Sequence, residues 1–469
     1  MTRRRFTQVK NLKTLDQLRT HLVELGVDLP VADVVEPEVF AAGSVFRDGG
    51  AGAIEVSNRF ATLPMEGWDG TEDGRPTDLV RRRWQRLGES GAGLVWGEAT
   101  AVVSGGRANP NQLVIDESTV DELADLRALL SSDQVTGLQL THSGRYARPD
   151  AAGPAPRTAY RHPLLDERVG ADDASVLTDD ELDTLVDDFV TAAVLAERAG
   201  FDFVDVKACH GYLGHELLTA YDRPGRYGGD LAGRTTFLRS VIAGIRDAAP
   251  SLAIAVRVSL FDLVPFAPGT DGVGVPVGAG SYGYAFGGDG TGLGVDLDEP
   301  HQLLDLLTGL GVGLVCITAG SPYYCPHVQR PAYFPPSDGY LPPEDPLVGV
   351  ARMLAATAEV TQRHPDLTVV GTGYSYLQEW LPNVAQGVLA GGGAHLIGLG
   401  RMVLSYPDLP ADVLAGRQLT AGLICRTFSD CTTAPRAGLV SGCYPLDPFY
   451  KERPERVDLT RAKRQAKST

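Results

Sequence analysis

The sequence predicts an α/β fold, a TIM (β/α)8 barrel with an N-terminal extension and a C-terminal tail. Three observations carry this: short apolar, β-prone runs alternate with amphipathic stretches, the alternation repeats eight times, and polar or Gly-rich loops follow the apolar runs. Alternation of this kind makes a parallel sheet, and eight units make a closed barrel. The expected divisions are an extension over residues 1–50, the barrel over 51–418 and a tail over 419–469. A doubly wound open sheet is the alternative.

In chain order, Leu15, Leu18, Leu22 and Leu25 recur at helical spacing, which predicts a helix over 14–25 packed outside the main fold. Residues 53–64 read as the first strand, 78–91 as an Arg-rich helix and 93–103 as the second strand. A helix over 120–130 follows, with Ser118 and Thr119 as candidate caps, and then a strand over 137–142. Thr178 and Glu181 have capping-box spacing, so their side chains can satisfy the first free amides of the next helix. Leu182, Leu185, Phe189 and Ala193 form its apolar stripe, and Gly200 ends it. Strands are expected at 201–206, 252–259, 312–318, 367–371 and 394–398. The helices among and after them are expected at 235–248, 300–310, 347–363, 376–390 and 411–416.

Composition narrows the classes of function. With 469 residues, 43% of them hydrophobic, the chain can bury a large core. A net charge of −17 argues against a general nucleic-acid binder, which needs clustered positive charge. The basic runs at 3–5 and 461–467 read as solvated tails. No apolar run approaches the roughly 20 residues that span a bilayer, and the first ten residues hold no apolar signal core, so no membrane partner and a cytoplasmic location are expected. Six cysteines are too few for a disulfide framework in a chain of this size.

The densest chemistry lies in 201–234, where the fourth strand delivers Lys207, His210 and Tyr212 into one turn, followed by the sequence RPGRYGGD. A lone His beside a Lys reads as structural; three donors within six residues at the carboxyl end of a barrel strand read as an active site. Residues 278–283 satisfy GxGxxG literally, but they follow a Pro-containing run and open no helix, so they are not a dinucleotide fingerprint. The long Gly-rich segment 265–296 is expected to lie at the catalytic face. A phosphate site is expected where Gly371 and Gly373 follow the seventh strand and Gly400 and Arg401 follow the eighth, because bare backbone amides and a guanidinium can close on an anion there.

Seven motifs in order resemble the old yellow enzyme family of FMN-dependent ene-reductases. They are NRFATLPMEG (58–67), GEATAVVSGGR (97–107), LQLTHSGR (138–145), HGYL with YGG beyond it (210–213 and 227–229), VRVS (256–259), TAGSPYYCPHVQRP (318–331) and GLGRMVLSYPDLP (398–410). The resemblance implies FMN as cofactor and NADH or NADPH as reductant, with a small-molecule substrate and ping-pong turnover. It places the backbone of Pro64 and Met65 against the flavin, Ala99 and Gln139 at its pyrimidine edge, Arg257 beside N1, and Gly371, Gly373, Gly400 and Arg401 at its phosphate. It further implies that Lys207 and His210 hydrogen-bond a substrate oxygen while Tyr212 protonates the α-carbon of an activated alkene. Oxidative demethylation of an amine, desaturation next to a carbonyl, and a flavin-binding module of low turnover are the alternatives. A homo-oligomer is left open.

Three features depart from the family. Lys207 stands where the family usually has His, and either favours an anionic substrate or pairs with a neighbouring Glu. Glu66 stands where relatives often carry a hydroxyl or thiol, and an ionised carboxylate there opposes flavin reduction unless it is neutralised. The motif at 318–331 resembles the branch containing 2,4-dienoyl-CoA reductase and trimethylamine dehydrogenase, whose members carry a four-cysteine iron–sulfur motif after the barrel. Here that region offers only Cys425, Cys431 and Cys443, with no nearby His, so neither an iron–sulfur cluster nor another metal is expected.

Overall fold

The computed structural model describes residues 6–465. Of the basic runs, 3–5 and 466–467 lie outside the described residues; Arg461 and Lys463 belong to a final helix, Glu455–Gln465.

Eight parallel strands close into a barrel, here numbered in chain order: β1 Phe60–Thr62, β2 Leu94–Ala101, β3 Val135–Thr141, β4 Phe203–Val206, β5 Ala253–Ser259, β6 Leu314–Thr318, β7 Thr368–Gly371 and β8 Leu396–Leu399. Each pairs with the next, and β8 returns to β1 with Ile397 opposite Phe60 and Leu399 opposite Thr62. All eight are buried along their whole length. Strands packed on both faces read as continuous apolar runs, which is why the sequence located them.

The surrounding helices follow the expected pattern. Thr178 and Glu181 make the capping box of helix Asp179–Arg198, and Leu182, Leu185, Phe189 and Ala193 are buried beneath it. Four expectations change. Residues 53–64 are not one strand: Gly52–Val56 pairs antiparallel with Ser44–Asp48, and only Phe60–Thr62 enters the barrel. Ser118 and Thr119 do not cap helix Val120–Arg127; the Thr119 hydroxyl is spent on the Val114 carbonyl. The segment 376–390 breaks at Gln378, whose φ of 54° no helix accommodates, into a 3-10 stretch Tyr374–Trp380 and helix Leu381–Ala390. The last helical segment begins earlier than 411, as Arg401–Ser405 and then Leu409–Leu414. The Gly-rich segment 265–296 carries a small hairpin, Phe266–Pro268 with Gly274–Pro276.

The amino-terminal hairpin stoppers the barrel floor. Phe46 enters the interior and meets Phe203 edge-on at 6.4 Å, and Phe203 meets Trp96 the same way at 5.0 Å. Asp48 locks the plug: its carboxylate accepts from Nη1 and Nη2 of Arg246 and from the amides of Gly50, Ala51 and Ile254. Residue 50, expected as the end of an extension, lies in the turn of this hairpin. A side chain at Gly137 would meet the Phe203 ring at 2.1 Å, so the floor is filled without room to spare. Helix Leu15–Leu25 joins the outer core through Leu18 and Leu22. Among the described residues no helix is long and apolar enough to cross a membrane.

Phe203→Ala should cost about 3–5 kcal/mol, because a wholly buried ring leaves a hole among rigid neighbours. Urea unfolding measures it, and a loss below about 1 kcal/mol would show that the floor relaxes around the gap.

Candidate active site

The carboxyl ends of the strands open into a cavity of about 240 Å³. Pro64, Met65, Glu66, Gln139, Lys207, His210, Tyr212, Arg257, Gly373, Gly400 and Arg401 all line it. Two expected residues stand behind its wall. Ala99 lies within β2, with its carbonyl accepting from Gln112 Nε2 at 3.0 Å, and Gly371 ends β7 beneath Tyr374.

One turn after β4 presents three of these groups. The chain leaves β4 at Lys207 and is pinned to β5 by the Ala208–Val258 bridge. His210 and Gly211 both take left-handed φ, 66° and 79°. The His210 amide donates to Ser259 Oγ at 3.0 Å, and its carbonyl accepts from Ser321 Oγ at 2.8 Å. A side chain at Gly211 would press on Tyr324 and Ser321, and its left-handed φ further favours glycine. The His210 ring nitrogen Nε2 sits 3.3 Å from both Thr318 Oγ1 and Gln329 Nε2. Burial, reinforced by Arg257 and Lys207, holds this imidazole well below its usual range, so it is neutral at physiological pH.

Glu66, from the loop after β1, faces this turn. Its Oε1 accepts from Lys207 Nζ at 2.7 Å, and its Oε2 accepts from Tyr212 OH at 3.0 Å and Trp68 Nε1 at 2.9 Å. Lys207 Nζ also lies 3.7 Å from the Tyr212 ring centroid. Of the two roles read for Lys207, the structure therefore shows the partner of a neighbouring Glu. The departures at 66 and 207 are one ion pair, and the carboxylate charge is met by an ammonium. The Tyr212 phenol is buried and faces Glu66; both effects raise it well above its ordinary range, so it keeps its proton. Its oxygen also lies 3.0 Å from Tyr323 OH.

Glu98 positions the Glu66 loop. It accepts from the Gly67 amide at 3.2 Å, Trp84 Nε1 at 3.0 Å and Arg83, which also forks onto Asp69. Within this loop Trp68 takes a φ of 51°, a conformation for which the sequence carried no sign.

At the opposite end of the cavity, cations gather with too few acceptors. Arg401 Nη2 reaches the Pro331 carbonyl at 2.9 Å, but its buried Nη1 has no partner among the described residues. Arg330 spends one nitrogen on Thr432 and leaves Nε and Nη2 unmatched. Arg257 Nε is likewise buried and unmatched, with Nη1 3.4 Å from the Pro64 carbonyl. Burial, and then the neighbouring Arg436 and Arg401 charges, push the Arg330 guanidinium down to about 9. A buried donor without an acceptor is costly. This set fits an anion beside Arg330 and Arg401, and an acceptor-rich edge beside Arg257 and Gln139.

Sequence reasoning drew no role for Trp68, Tyr323, Arg330 or Arg436, all of which line the cavity. Arg330 and Tyr323 lie inside the TAGSPYYCPHVQRP motif, so the means to find them was present. Arg436 lies in the tail, which folds back over the barrel mouth: Asp447 takes Arg82 and Arg86 from helix Asp78–Gly88, and Cys431, Thr432, Pro435, Arg436 and Ser441 complete the cavity wall. Cys425, Cys431 and Cys443 are free thiols, and among the described residues no three His, Cys, Asp or Glu side chains gather as a metal site.

The sequence pattern of the NADH:flavin oxidoreductase / NADH oxidase family matches residues 49–278. An NADPH dehydrogenase of Listeria welshimeri is 31% identical over 237 residues, a match covering 47% of this chain and 68% of that protein. The chain belongs to this family. The resemblance read from the ordered motifs is thereby borne out, along with the barrel. An NADH:flavin oxidoreductase of Gibberella zeae is 30% identical over 227 residues, 45% of this chain and 55% of the fungal protein, so the match spans about half of that relative. Among solved structures, a complex of 2-naphthoyl-CoA reductase superposes with a TM-score of 0.67 at 17% identity, covering 88% of this chain and 58% of that one, a likeness of fold.

If the anion that fits beside Arg330 and Arg401 is a flavin phosphate, Arg330→Ala and Arg401→Ala should each weaken its retention by on the order of 30-fold or more, since each removes a buried charge-assisted donor. Fluorescence titration of the stripped protein with FMN and with riboflavin checks this. Riboflavin affinity should be untouched, and an equal loss for both flavins would place the arginines elsewhere than at the phosphate.

Proposed function

We propose that this chain is an FMN-dependent oxidoreductase that takes reducing equivalents from NADH or NADPH and delivers them to an activated carbon–carbon double bond. The observation that carries the reading is Tyr212, a buried phenol kept protonated at the wall of the same cavity that holds the unmatched donors.

In this reading Arg330, Arg401 and the backbone at Gly373 and Gly400 hold the FMN phosphate. Gln139 and Arg257 hold the pyrimidine edge, and the backbone of Pro64 and Met65 lies along the ring system. FMN, when bound, supplies a reversible two-electron carrier. Arg257 is a permanent cation suited to stabilise negative charge beside the ring. Neutral His210, with its proton on Nε2, donates from that nitrogen to a carbonyl oxygen of the substrate, which takes the place of the Gln329 amide nitrogen now facing it at 3.3 Å. Tyr212 gives its proton to the α-carbon, and Lys207, 3.7 Å from the ring centroid, steadies the phenolate that remains. Glu66 holds Lys207 and Trp68 in place and balances the ammonium charge.

Heat release and chromatography of any bound flavin test the base of this reading, and product analysis with a cyclic enone against a methylated amine separates alkene reduction from oxidative demethylation. A Tyr212→Phe variant should slow alkene reduction by roughly 10²- to 10⁴-fold while flavin reduction by NAD(P)H keeps its rate. Full alkene reduction in that variant would remove Tyr212 as proton donor. The alkene step should also be flat from about pH 6 to 8, because burial lowers His210 and raises Tyr212 away from that window.

A further inference from the structure

A second cavity, of about 690 Å³, adjoins the first, and Trp68, Pro322, Tyr323, Pro435 and Arg436 belong to the walls of both. Tyr323 stacks on Tyr146 with ring centroids 3.8 Å apart, so a flat aromatic partition stands between reaction site and annex. The annex is large enough for a substantial part of a small organic ligand.

Its charge is the reverse of the protein's. The chain carries a net −17, yet the ionised side chains lining the annex are Arg145, Arg148, Arg168, Arg436 and a single acid, Asp338. Arg145 is consumed within the wall by Asp166 and Glu216. Arg436 is held by Asp338 at 2.9 Å and by the Pro322 carbonyl at 2.9 Å. The guanidiniums of Arg148 and Arg168 are different: both are exposed, and among the described residues neither has a hydrogen-bond or ion-pair partner. Two uncommitted cations beside a reaction site, on a strongly acidic protein, are a local reversal of field that draws in and orients an anion.

We propose that the annex binds the anionic, non-reacting end of the molecule whose reactive end enters the Tyr212 cavity, with Arg148 and Arg168 as the specificity-determining residues for a phosphate or carboxylate group. This rests on the reading of the first cavity as the reaction site. Two sources share that chemistry, the phosphates of the nicotinamide dinucleotide and an acidic group on the alkene. Guanidinium pairs suit both, because each presents parallel donors to two oxygens.

The test uses FMN-loaded protein and an R148A/R168A double variant, whose lost side chains are exposed and unpartnered and whose FMN content should be unchanged. Calorimetric titration with inorganic pyrophosphate, which needs no turnover, should show binding that weakens roughly tenfold or more in the variant. The KM for cyclohex-2-enone, a neutral alkene, should not change. A raised KM for NADPH with this enone would identify the dinucleotide as the source, and a raised KM for an unsaturated carboxylate alone would identify the substrate; both support the proposal. It is overturned if pyrophosphate fails to bind, if it binds the variant as well as the parent, or if the KM for neutral enone rises as much as that for the charged ligands. Arginine-dependent pyrophosphate binding without any alkene reduction would instead sink the proposed reaction and leave the anion site standing.

Discussion

A carboxylate with no access to water ties the barrel to its mouth. Asp205 sits in β4 and accepts from Trp96 Nε1 in β2 at 2.9 Å, from Gln139 Nε2 in β3, and from the Arg257 amide in β5 at 2.7 Å. Four consecutive strands thus share one acceptor, and two of the bonded residues are those whose side chains face the cavity above. Burial pushes Asp205 up to about 6, against the pull of those three donors, so the arrangement is tense as well as specific. Rotating any one of these strands would leave a buried polar atom unmatched, which fixes the orientation of Gln139 and Arg257 more firmly than packing alone.

The mouth repeats this logic with its satisfied and its unsatisfied groups kept apart. At one side Glu66 and Glu98 gather donors from five side chains and a backbone amide, so the acidic groups are saturated. At the other side Arg330 and Arg401 keep donors in reserve. A cavity that is satisfied at one pole and unsatisfied at the other selects the direction in which a ligand lies. The Lys207–Glu66 pair takes part in that balance: within a low-dielectric pocket either charge alone would be expensive, and together they leave Tyr212 beside a nearly neutral couple.

Much of the barrel was legible because its strands are buried on both faces and its helices carry caps such as Thr178 with Glu181. The first strand was misjudged because 52–56 and 60–62 are both β-prone, and only the tertiary partner decides which of them joins the barrel. Gln378 interrupts a helical pattern by backbone strain that has no local sequence mark. In the site, His210 and Tyr212 could be found because they share one turn and one motif. Arg436 could not, since it reaches the cavity from a tail whose placement depends on Asp447 pairing with arginines some 360 residues earlier. A pairing that distant has no signature in spacing or periodicity.

The hairpin beneath the barrel has a consequence for anyone cutting the chain. Ser44–Asp48 and Gly52–Val56 straddle the point where the linear sequence suggests a seam, and Phe46 and Asp48 from its first strand fill the floor and bind the start of β5. A gene shortened to begin at residue 51 would discard half of a two-stranded stopper and leave its other half unpaired. The floor would then admit water to Phe203 and Trp96, and the Arg246 guanidinium would lose its carboxylate. Modular swaps in this scaffold are therefore better made among the loops at the top, where the pieces can be exchanged without uncorking the bottom.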